Sequence, residues 1–447
     1  MKTKNSISIL LALLLNVTVF FSQESSLESI ASKYQSSFKE NNQGVGILVK
    51  RDNEVYTASI GNHNLTEHSV FNIGSATKTF TAILILQEVE KGNIKLTDTI
   101  GTYLDPIPNI DGTLSIEQLL AHETGLDEVI SRNIEDIFYA KNDVLYQDEL
   151  LQQVGENNPD MVGKYDYCNT NYFLLGRIIE KLTDQNYFDA VRERIIEPLQ
   201  LQHTYPYVHK NLPNLATPMH DDKDVTEFLD YRYFANIAFA AGSVASTLFD
   251  MEVFYTSLFE TEKLLKKETL ALLMESGNEV YGLGIFKPNP NEGNYYGHGG
   301  NNIGYSFRNG YNPDTKNLFM IFSNSRKIPK SEVINFDLIT FLNGRPIVQF
   351  SAINIENFKD YTGTYLLAEA NLEFVIELDG KTMYLLVPAQ DAKSELTQKN
   401  KTTLMDTSVG ATFSIIEGAE DRLKFEQNGF STEIVKVTSQ NTNSEQK

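Results

Sequence analysis

The spacing of apolar residues predicts a helix, a β-hairpin and a second helix in the N-terminal part of the chain. Residues 27–41 carry apolar side chains at helical spacing, and residues 44–50 and 55–60 are typical of two strands joined by a tight turn. A second helix is predicted over residues 77–91, because an apolar segment there ends at Gly92-Asn93.

The middle of the chain has a mostly helical pattern, from about residue 115 to residue 270, and strands return after it. The clearest helix has apolar residues at positions i, i+3, i+4 and i+7, namely Leu175, Ile178, Ile179 and Leu182. Three strands and a last helix are predicted at 281–286, 304–311, 318–322 and 330–342. This order predicts an α+β fold in which a sheet carries a helical insertion.

The character of the chain changes after Gly344-Arg345-Pro346. Short alternating strands follow, with hairpin signals at Asp379-Gly380 and Asn428-Gly429. We therefore predict a main domain over residues 24–348, a small all-β domain over 355–437 and a polar, disordered tail over 438–447.

The first residues have the pattern of a signal peptide. Lys2 and Lys4 precede an apolar run over residues 7–21, and polar residues follow that run. A signal peptide over residues 1–23 predicts an exported protein, periplasmic or extracellular, without stable membrane insertion after its removal. No cysteine follows the run, which argues against a lipoprotein. An uncleaved N-terminal anchor stays open as the alternative, since no clean Ala-x-Ala site is present.

Charge and cysteine content exclude several classes of partner. The chain of 447 residues has a formal net charge of -21, which repels nucleic acids and anionic membrane surfaces. A single cysteine, Cys168, excludes an intramolecular disulfide and a cysteine-based metal site. His203, His209 and His220 lack the spacing of metal ligands, so neither a metal nor another cofactor is predicted. The oligomeric state stays open.

The most informative stretch contains Ser75-Ala76-Thr77-Lys78. If Ser75 opens a helix, Lys78 lies one turn later on the same face, where a neutral amine can take the hydroxyl proton. We expect burial and a neighbouring positive charge to lower the pKa of Lys78 enough for this role. The helix start adds backbone donors for an oxyanion. A second copy of the pattern, Ser36 to Lys39, is expected on a solvated helix surface.

A second candidate element is Tyr167-Cys168-Asn169, which precedes the clearest helix. A tyrosine hydroxyl beside a lysine can relay protons, and an asparagine amide can bind a carbonyl group. A capped helix start with packed aromatic residues is the structural alternative. Ser131-Arg132-Asn133 is a rival for the same role, whereas Cys168 is expected to be a packing residue.

The third candidate element is the glycine-rich run that contains His298-Gly299-Gly300-Asn301. Its glycines allow a backbone to approach a ligand closely. A phosphate-binding loop is disfavoured, because a strand and not a helix follows. A simple hairpin turn remains the alternative.

In this order the three elements resemble the serine β-lactamases and penicillin-binding peptidases, most of all the class C branch with its esterase and D-peptidase relatives. Ser75-x-x-Lys78 matches the first motif, Tyr167-x-Asn169 the second, and His298-Gly299-Gly300 occupies the place of Lys-Thr-Gly. A supporting segment runs from Leu119 to Leu126, with His122 expected to bond backbone. The resemblance covers roughly residues 30–345.

The resemblance implies a β-lactamase/transpeptidase-like antiparallel sheet with a helical subdomain, here followed by the small all-β domain. It also implies acyl transfer by Ser75, with Lys78 and Tyr167 as general acid and base. Asn169 would orient the acyl group, and the N–H groups of Ser75 and Asn301 would form the oxyanion hole. His298 would hydrogen-bond near Tyr167 or the substrate.

Two departures from the family pattern bear on the substrate. Gly299 lacks the hydroxyl that the family's threonine offers to a substrate carboxylate, and His298 is largely neutral where the family has lysine. We therefore expect an exported hydrolase of a small-molecule or peptide substrate that prefers neutral esters or amides. An arginine brought in from elsewhere in the fold, such as Arg308 on the following strand, would supply the missing charge and reverse this preference. A β-lactamase or D-Ala-D-Ala carboxypeptidase, and a catalytically silent penicillin-binding or sensor protein, are the alternatives.

Overall fold

The computed structural model describes residues 27–38, 42–61, 65–131, 147–220, 223–229, 234–289, 293–326, 331–344, 347, 353–390, 392–406, 411–427 and 430–437. The predicted signal peptide, Lys39, Arg132, Asn133, the predicted turn at Asn428-Gly429 and the tail at 438–447 lie outside these residues. Within the described part, no helix combines the length and apolar character needed to cross a bilayer.

A five-stranded antiparallel sheet in the order β2-β1-β9-β8-β7 forms the centre of the main domain. Its strands are β1 (Gly44–Arg51), β2 (Glu54–Gly61), β7 (Gly300–Asn302), β8 (Tyr305–Tyr311) and β9 (Leu318–Ser323). Four described two-residue strands lie outside it and pair as β3-β6 and β4-β5: β3 (Phe71–Asn72), β4 (Met219–His220), β5 (Lys223–Asp224) and β6 (Ala245–Ser246). The strand order agrees with the α+β prediction.

Helices cover both faces of this sheet. The described helices are α1 (Leu27–Tyr34), α2 (Thr77–Lys91), α3 (Ile100–Tyr103), α4 (Ile116–Ala121), α5 (Gln147–Leu151), α6 (Asn169–Thr183), α7 (Tyr187–Val191), α8 (Glu197–Leu199), α9 (Phe239–Gly242), α10 (Leu248–Glu260), α11 (Lys267–Glu275) and α12 (Ser331–Leu342). The long helices α2, α6 and α12 closely follow the sequence prediction. Gly92 ends α2 with φ +75°, a conformation that glycine adopts without strain.

Alternating side chains of the sheet divide the core into two clusters. Ile47 and Ile321 pack against α1 and α12, whereas Leu48 and Phe322 face the helical subdomain. The predicted first helix is shorter than expected, because α1 ends at Tyr34 and a 3₁₀ turn continues to Phe38. The sheet is thus held between the terminal helices and the helical insertion.

The strand prediction at residues 281–286 is wrong. Tyr281 forms an isolated bridge with Phe286, so that the segment folds back on itself. Gly284 adopts φ +93°, a turn conformation that interrupts an extended chain. The segment therefore contributes a turn beside the sheet in place of a strand.

The C-terminal residues form a closed eight-stranded antiparallel barrel. Its strands are β10 (Gly363–Leu367), β11 (Leu372–Asp379), β12 (Thr382–Val387), β13 (Ala392–Asn400), β14 (Thr403–Asp406), β15 (Ala411–Ile416), β16 (Ala419–Gln427) and β17 (Phe430–Lys436). Pairing of β10 with β17 closes the barrel. An all-β domain was predicted here, and the strands around Asp379-Gly380 form the expected hairpin.

Candidate active site

Ser75 and Lys78 meet at the beginning of α2. Ser75 lies in the 3₁₀ turn Gly74–Ala76, and Lys78 is the second residue of the helix that follows. Residues 71–80 are all described, and among them only Ser75 is partly exposed. Lys78 Nζ lies 3.1 Å from Ser75 Oγ, so the helical spacing places the amine beside the hydroxyl.

Two further acceptors surround the Lys78 amine. Its Nζ lies 2.6 Å from Asn169 Oδ1 and 2.8 Å from the carbonyl oxygen of Ala241. A neutral amine has two N–H donors and one lone pair. Asn169 and Ala241 accept the two N–H groups, which leaves the lone pair for the proton of the Ser75 hydroxyl.

Burial sets the protonation of Lys78. The side chain is completely buried, and this lowers its pKa from 10.5 to about 7, while the carboxylate of Glu128 and the Cys168 thiol act in the opposite direction. The sequence analysis also expected a neighbouring positive charge to lower this pKa, and that part of the prediction is wrong. A pKa near neutrality suits a group that must both accept and return a proton.

Tyr167 contacts both residues of the first pair. Its side chain hydrogen-bonds Ser75, and its ring centroid lies 5.0 Å from Lys78 Nζ. Burial raises the pKa of Tyr167 far above its usual value, so the phenol keeps its proton at neutral pH. Tyr167 is consequently suited to donate or relay a proton and not to act as a tyrosinate base.

Glu128 fixes the second element, and the sequence analysis missed it. Its carboxylate accepts the backbone N–H of Asn169 at the start of α6, and its other oxygen accepts the N–H groups of Ile130 and Ser131 at 2.9 Å each. Asn169 Nδ2 donates to Ser131 Oγ at 3.1 Å. A carboxylate at a helix N-terminus is favourable, but no sequence pattern marked Glu128 for this position.

Ser131, named as a rival for the second element, lies in the same cavity as Ser75. The Ser131 hydroxyl accepts a hydrogen bond from the Asn169 amide, whereas the Ser75 hydroxyl lies 3.1 Å from Lys78 Nζ. The two serines therefore occupy different positions, and Ser75 is the one beside the amine.

Strand β7 lies directly against the turn that carries Ser75. A Cβ atom at Gly300 would be 2.1 Å from the Ile73 carbonyl oxygen and 2.5 Å from the Ser75 nitrogen. Glycine is required at position 300 for this approach. On the other side, a Cβ at Gly74 would be 2.9 Å from the Asn301 nitrogen. The two backbone segments are therefore closely packed, and Ser75 and Asn301 both line the cavity.

The His298 ring lies near Tyr167, with ring centroids 6.3 Å apart, and its two nitrogens contact Gly299 and Tyr281. Its Nδ1 lies 2.7 Å from the Gly299 carbonyl oxygen, and its Nε2 lies 2.7 Å from the Tyr281 hydroxyl. A carbonyl oxygen only accepts, so Nδ1 carries the proton and Nε2 accepts from Tyr281. Burial and the nearby charge of Lys78 lower the pKa of His298 to about 3. The ring is neutral and supports the site from within the core.

His122 supports the loop that carries the second element, Tyr167-Cys168-Asn169. Its Nδ1 accepts the backbone N–H of Cys168 at 3.1 Å and lies 3.2 Å from Asn171 Nδ2. Cys168 stands between Tyr167 and Asn169, so this bond helps to position both. The Cys168 thiol is buried, which raises its pKa to about 12 and leaves it protonated.

Six of the eight predicted site residues line a cavity of about 610 Å³, whereas Lys78 and His298 are buried and are not part of its lining. The cavity is lined by Ser75, Tyr167, Asn169, Gly299, Gly300 and Asn301 together with Lys287 and Arg308. Arg308 on β8 lies opposite Gly299, where a Cβ atom would be 3.8 Å from Arg308 Cγ. The positive charge that positions 298 and 299 lack is therefore present on the cavity wall. Among the residues that the structure describes, no group of three or more His, Cys, Asp or Glu side chains is arranged to hold a metal ion.

Comparison with known proteins identifies the family of this chain. The family model called Beta-lactamase matches residues 32–343. The chain belongs to the Beta-lactamase family. Its relatives and fold neighbours identify this family member as a serine hydrolase with a C-terminal barrel after the main domain.

PbpX of Bacillus subtilis (strain 168), named as a penicillin-binding protein, is 26% identical over 287 residues, which cover 64% of this chain and 68% of PbpX. A D-stereospecific amidohydrolase from Streptomyces sp. superimposes with a TM-score of 0.60 at 25% identity, over 68% of this chain and 95% of its own. The octameric penicillin-binding protein homologue from Pyrococcus abyssi has a TM-score of 0.61 at 21% identity and covers 91% of this chain and 98% of its own. The last of these shows a shared fold that extends into the barrel.

Proposed function

We propose that this protein cleaves an amide or ester bond through an acyl-enzyme formed on Ser75. The observation that carries the proposal is the position of Lys78, whose buried amine has its two N–H groups taken by Asn169 and Ala241 and lies 3.1 Å from Ser75 Oγ. A base with a pKa of about 7 in contact with a serine hydroxyl is the requirement for activating this nucleophile.

Acylation proceeds by attack of Ser75 Oγ on the substrate carbonyl carbon, while the hydroxyl proton passes to Lys78. The carbonyl oxygen becomes an oxyanion, which the N–H groups of Ser75 and Asn301 stabilise. Tyr167 contacts Ser75 and lies beside Lys78, so it relays the proton to the leaving nitrogen or oxygen as that bond breaks. In deacylation a water molecule attacks the carbonyl carbon of the ester, while Tyr167 and Lys78 take its proton. The bond to Ser75 Oγ then breaks, which releases the acid product, and the proton returns to Ser75.

The substrate class that we propose is a small peptide or amide built on a D-amino acid. The amidohydrolase relative is named for D-stereospecific action, and PbpX for penicillin binding. The expectation of a preference for neutral substrates assumed that no fixed positive charge faces the position of Gly299. Arg308 lies there and lines the cavity. A guanidinium group can receive a carboxylate through two N–H donors, so we propose that Arg308 binds the carboxylate of the substrate.

Intact-mass measurements test the nucleophile. A fluorophosphonate is expected to add one group to the wild-type protein, and the adduct should map to the peptide that contains Ser75. Ser75→Ala should abolish labelling, whereas the matched variant Ser131→Ala should keep it. Labelling that persists in Ser75→Ala would contradict the proposal.

Turnover of D-Ala-D-Ala peptides with a free or an amidated C-terminus tests the substrate class. Arg308→Gln is expected to lower kcat/KM for the free carboxylate by about tenfold or more and to leave the amidated peptide largely unchanged. Equal losses on both peptides would remove Arg308 from carboxylate binding. An acyl-enzyme with penicillin that forms but does not turn over would favour the alternative of a silent penicillin-binding protein.

Export is a separate part of the proposal. It rests on Lys2, Lys4 and the apolar run over residues 7–21. N-terminal sequencing of protein recovered outside the cytoplasm should find a mature chain that begins near residue 24, whereas a chain that retains residue 1 in the membrane fraction would indicate an anchor.

A further inference from the structure

The two ends of the C-terminal barrel differ. Two 3₁₀ turns, Ile355–Asn357 and Lys359–Tyr361, precede β10 and insert Phe358 into the barrel core at 1% exposure. Asn357 Nδ2 donates to the carbonyl oxygen of Lys401 in the turn between β13 and β14, and the Asn354 N–H donates to Gln398. These contacts close one end of the barrel.

The opposite end contains a cavity of about 520 Å³. The connections between strands alternate between the two ends of an up-and-down barrel. Every second connection therefore lies at this second end, and the lining residues at or beside those connections are Glu369, Gln390, Asp406 and Phe430. Eight-stranded barrels either fill their interior with side chains or enclose one small ligand. The volume falls in the range of about 300–1,000 Å³ that is typical of small-molecule sites.

The walls of this cavity are mainly apolar. Phe374 and Phe425 are buried with ring centroids 5.0 Å apart, and Leu385 and Val387 line the same space. Phe430 stands at the rim and is 45% exposed. An apolar molecule that enters the barrel would bury surface against all of these groups.

A buried carboxylate gives the cavity its polarity. Asp406 is only 3% exposed, and its Oδ2 accepts the Ser394 hydroxyl at 2.7 Å, with both residues in the lining. Glu369 adds a second acidic group, whereas the Lys393 ammonium in the lining is paired with Glu377 at 2.7 Å. The acidic excess of the whole chain, -21, also attracts cations. The cavity thus favours a positively charged head group over an anionic one.

We propose that the cavity at this second end of the barrel binds a small amphipathic amine, with its apolar body against Phe374 and Phe425 and its ammonium group at Asp406. The site is separate from the Ser75 cavity in its residues and needs none of the hydrolytic chemistry. The barrel would thereby give the protein a second, non-catalytic ligand.

Three ligands that share one tail test this proposal on the full chain at physiological salt. Octylamine, octanol and octanoate are titrated and followed by saturation-transfer NMR. Octylamine is expected to bind on the order of tenfold or more tightly than octanol, because a hydrogen bond between two charged groups is stronger than one from a neutral hydroxyl. Octanoate is expected to bind weakest, because its charge has the same sign as Asp406. No binding of octylamine, or equal binding of the three, would overturn the proposal.

Variants locate the binding. Asp406→Asn should remove the preference for octylamine over octanol, and Ala370→Trp, at an exposed position of the lining, should weaken both ligands. Asp421→Asn, on an exposed position of β16, is the matched control and should change neither. Fluorophosphonate labelling of Ser75 should be unchanged in all three variants. An Asp406→Asn protein that keeps the wild-type preference, or an Ala370→Trp protein that binds as before, would place the amine elsewhere and refute the assignment.

Discussion

Burial of Lys78 predicts that the stability of this protein rises with pH above neutrality. The unfolded chain has the ordinary lysine pKa of 10.5, whereas the folded chain has a value of about 7. Between these values the unfolded state holds more protons, so the free energy of unfolding increases with pH. Below pH 7 both states are charged, and the full penalty of burying the ammonium is present.

The magnitude follows from the shift. The difference between 10.5 and about 7 is about 3.5 units, which corresponds to about 5 kcal/mol at 1.36 kcal/mol per unit. About 2 kcal/mol of this should be recovered between pH 7 and pH 9, where the folded lysine has lost its proton and the unfolded one has kept it. Lys78→Met has a similar shape without the charge and should lack this gain.

Urea denaturation at pH 7 and pH 9 measures the effect as the difference between wild type and variant, so that other titrating groups cancel. Lys267→Met, on the exposed start of α11, is the control and should follow the wild type. The rate of fluorophosphonate labelling should rise with a midpoint near pH 7, and Lys78→Arg should lose most of it, because guanidinium does not release its proton. Equal stability slopes in wild type and Lys78→Met, or a flat rate profile with an active Lys78→Arg, would refute the reasoning.

Three further outcomes are expected. Gly300→Ala should slow labelling by at least about a hundredfold, because its Cβ would lie 2.5 Å from the Ser75 nitrogen of the oxyanion site, whereas Gly299→Ala, with its nearest neighbour at 3.2 Å, should retain most of the rate. Burial lowers the pKa of His122 and His298, so both protonate only in the unfolded state between pH 6.5 and pH 5, and the free energy of unfolding should fall by about 3 kcal/mol over that range. His298→Asn should remove about half of this dependence in urea titrations. A chain that ends at residue 348 should fold by circular dichroism and still label at Ser75; a folded chain that fails to label would make the barrel part of the site.

The sequence predicted best what depends on neighbouring residues. Ser75 and Lys78 are three positions apart at one helix start, so the helix itself brings their side chains together. The contact of His298 with Tyr281 depends on the fold around it, because Gly284 turns the intervening segment that had been predicted as a strand. Closure of the barrel likewise could not be predicted, since it depends on β10 pairing with β17 across the whole domain.

The charges of the site likewise depend on contacts between distant parts of the chain. The family's Lys-Thr-Gly has a permanent cation where this chain has His298, and the sequence analysis expected both burial and a neighbouring positive charge to lower the pKa of Lys78. His298 is instead buried and neutral, so burial alone opposes the Lys78 ammonium. A positive charge remains at the cavity on Arg308, which lies opposite Gly299. Desolvation thus lowers the pKa of Lys78, whereas the positive charge at the cavity comes from a residue of the neighbouring strand.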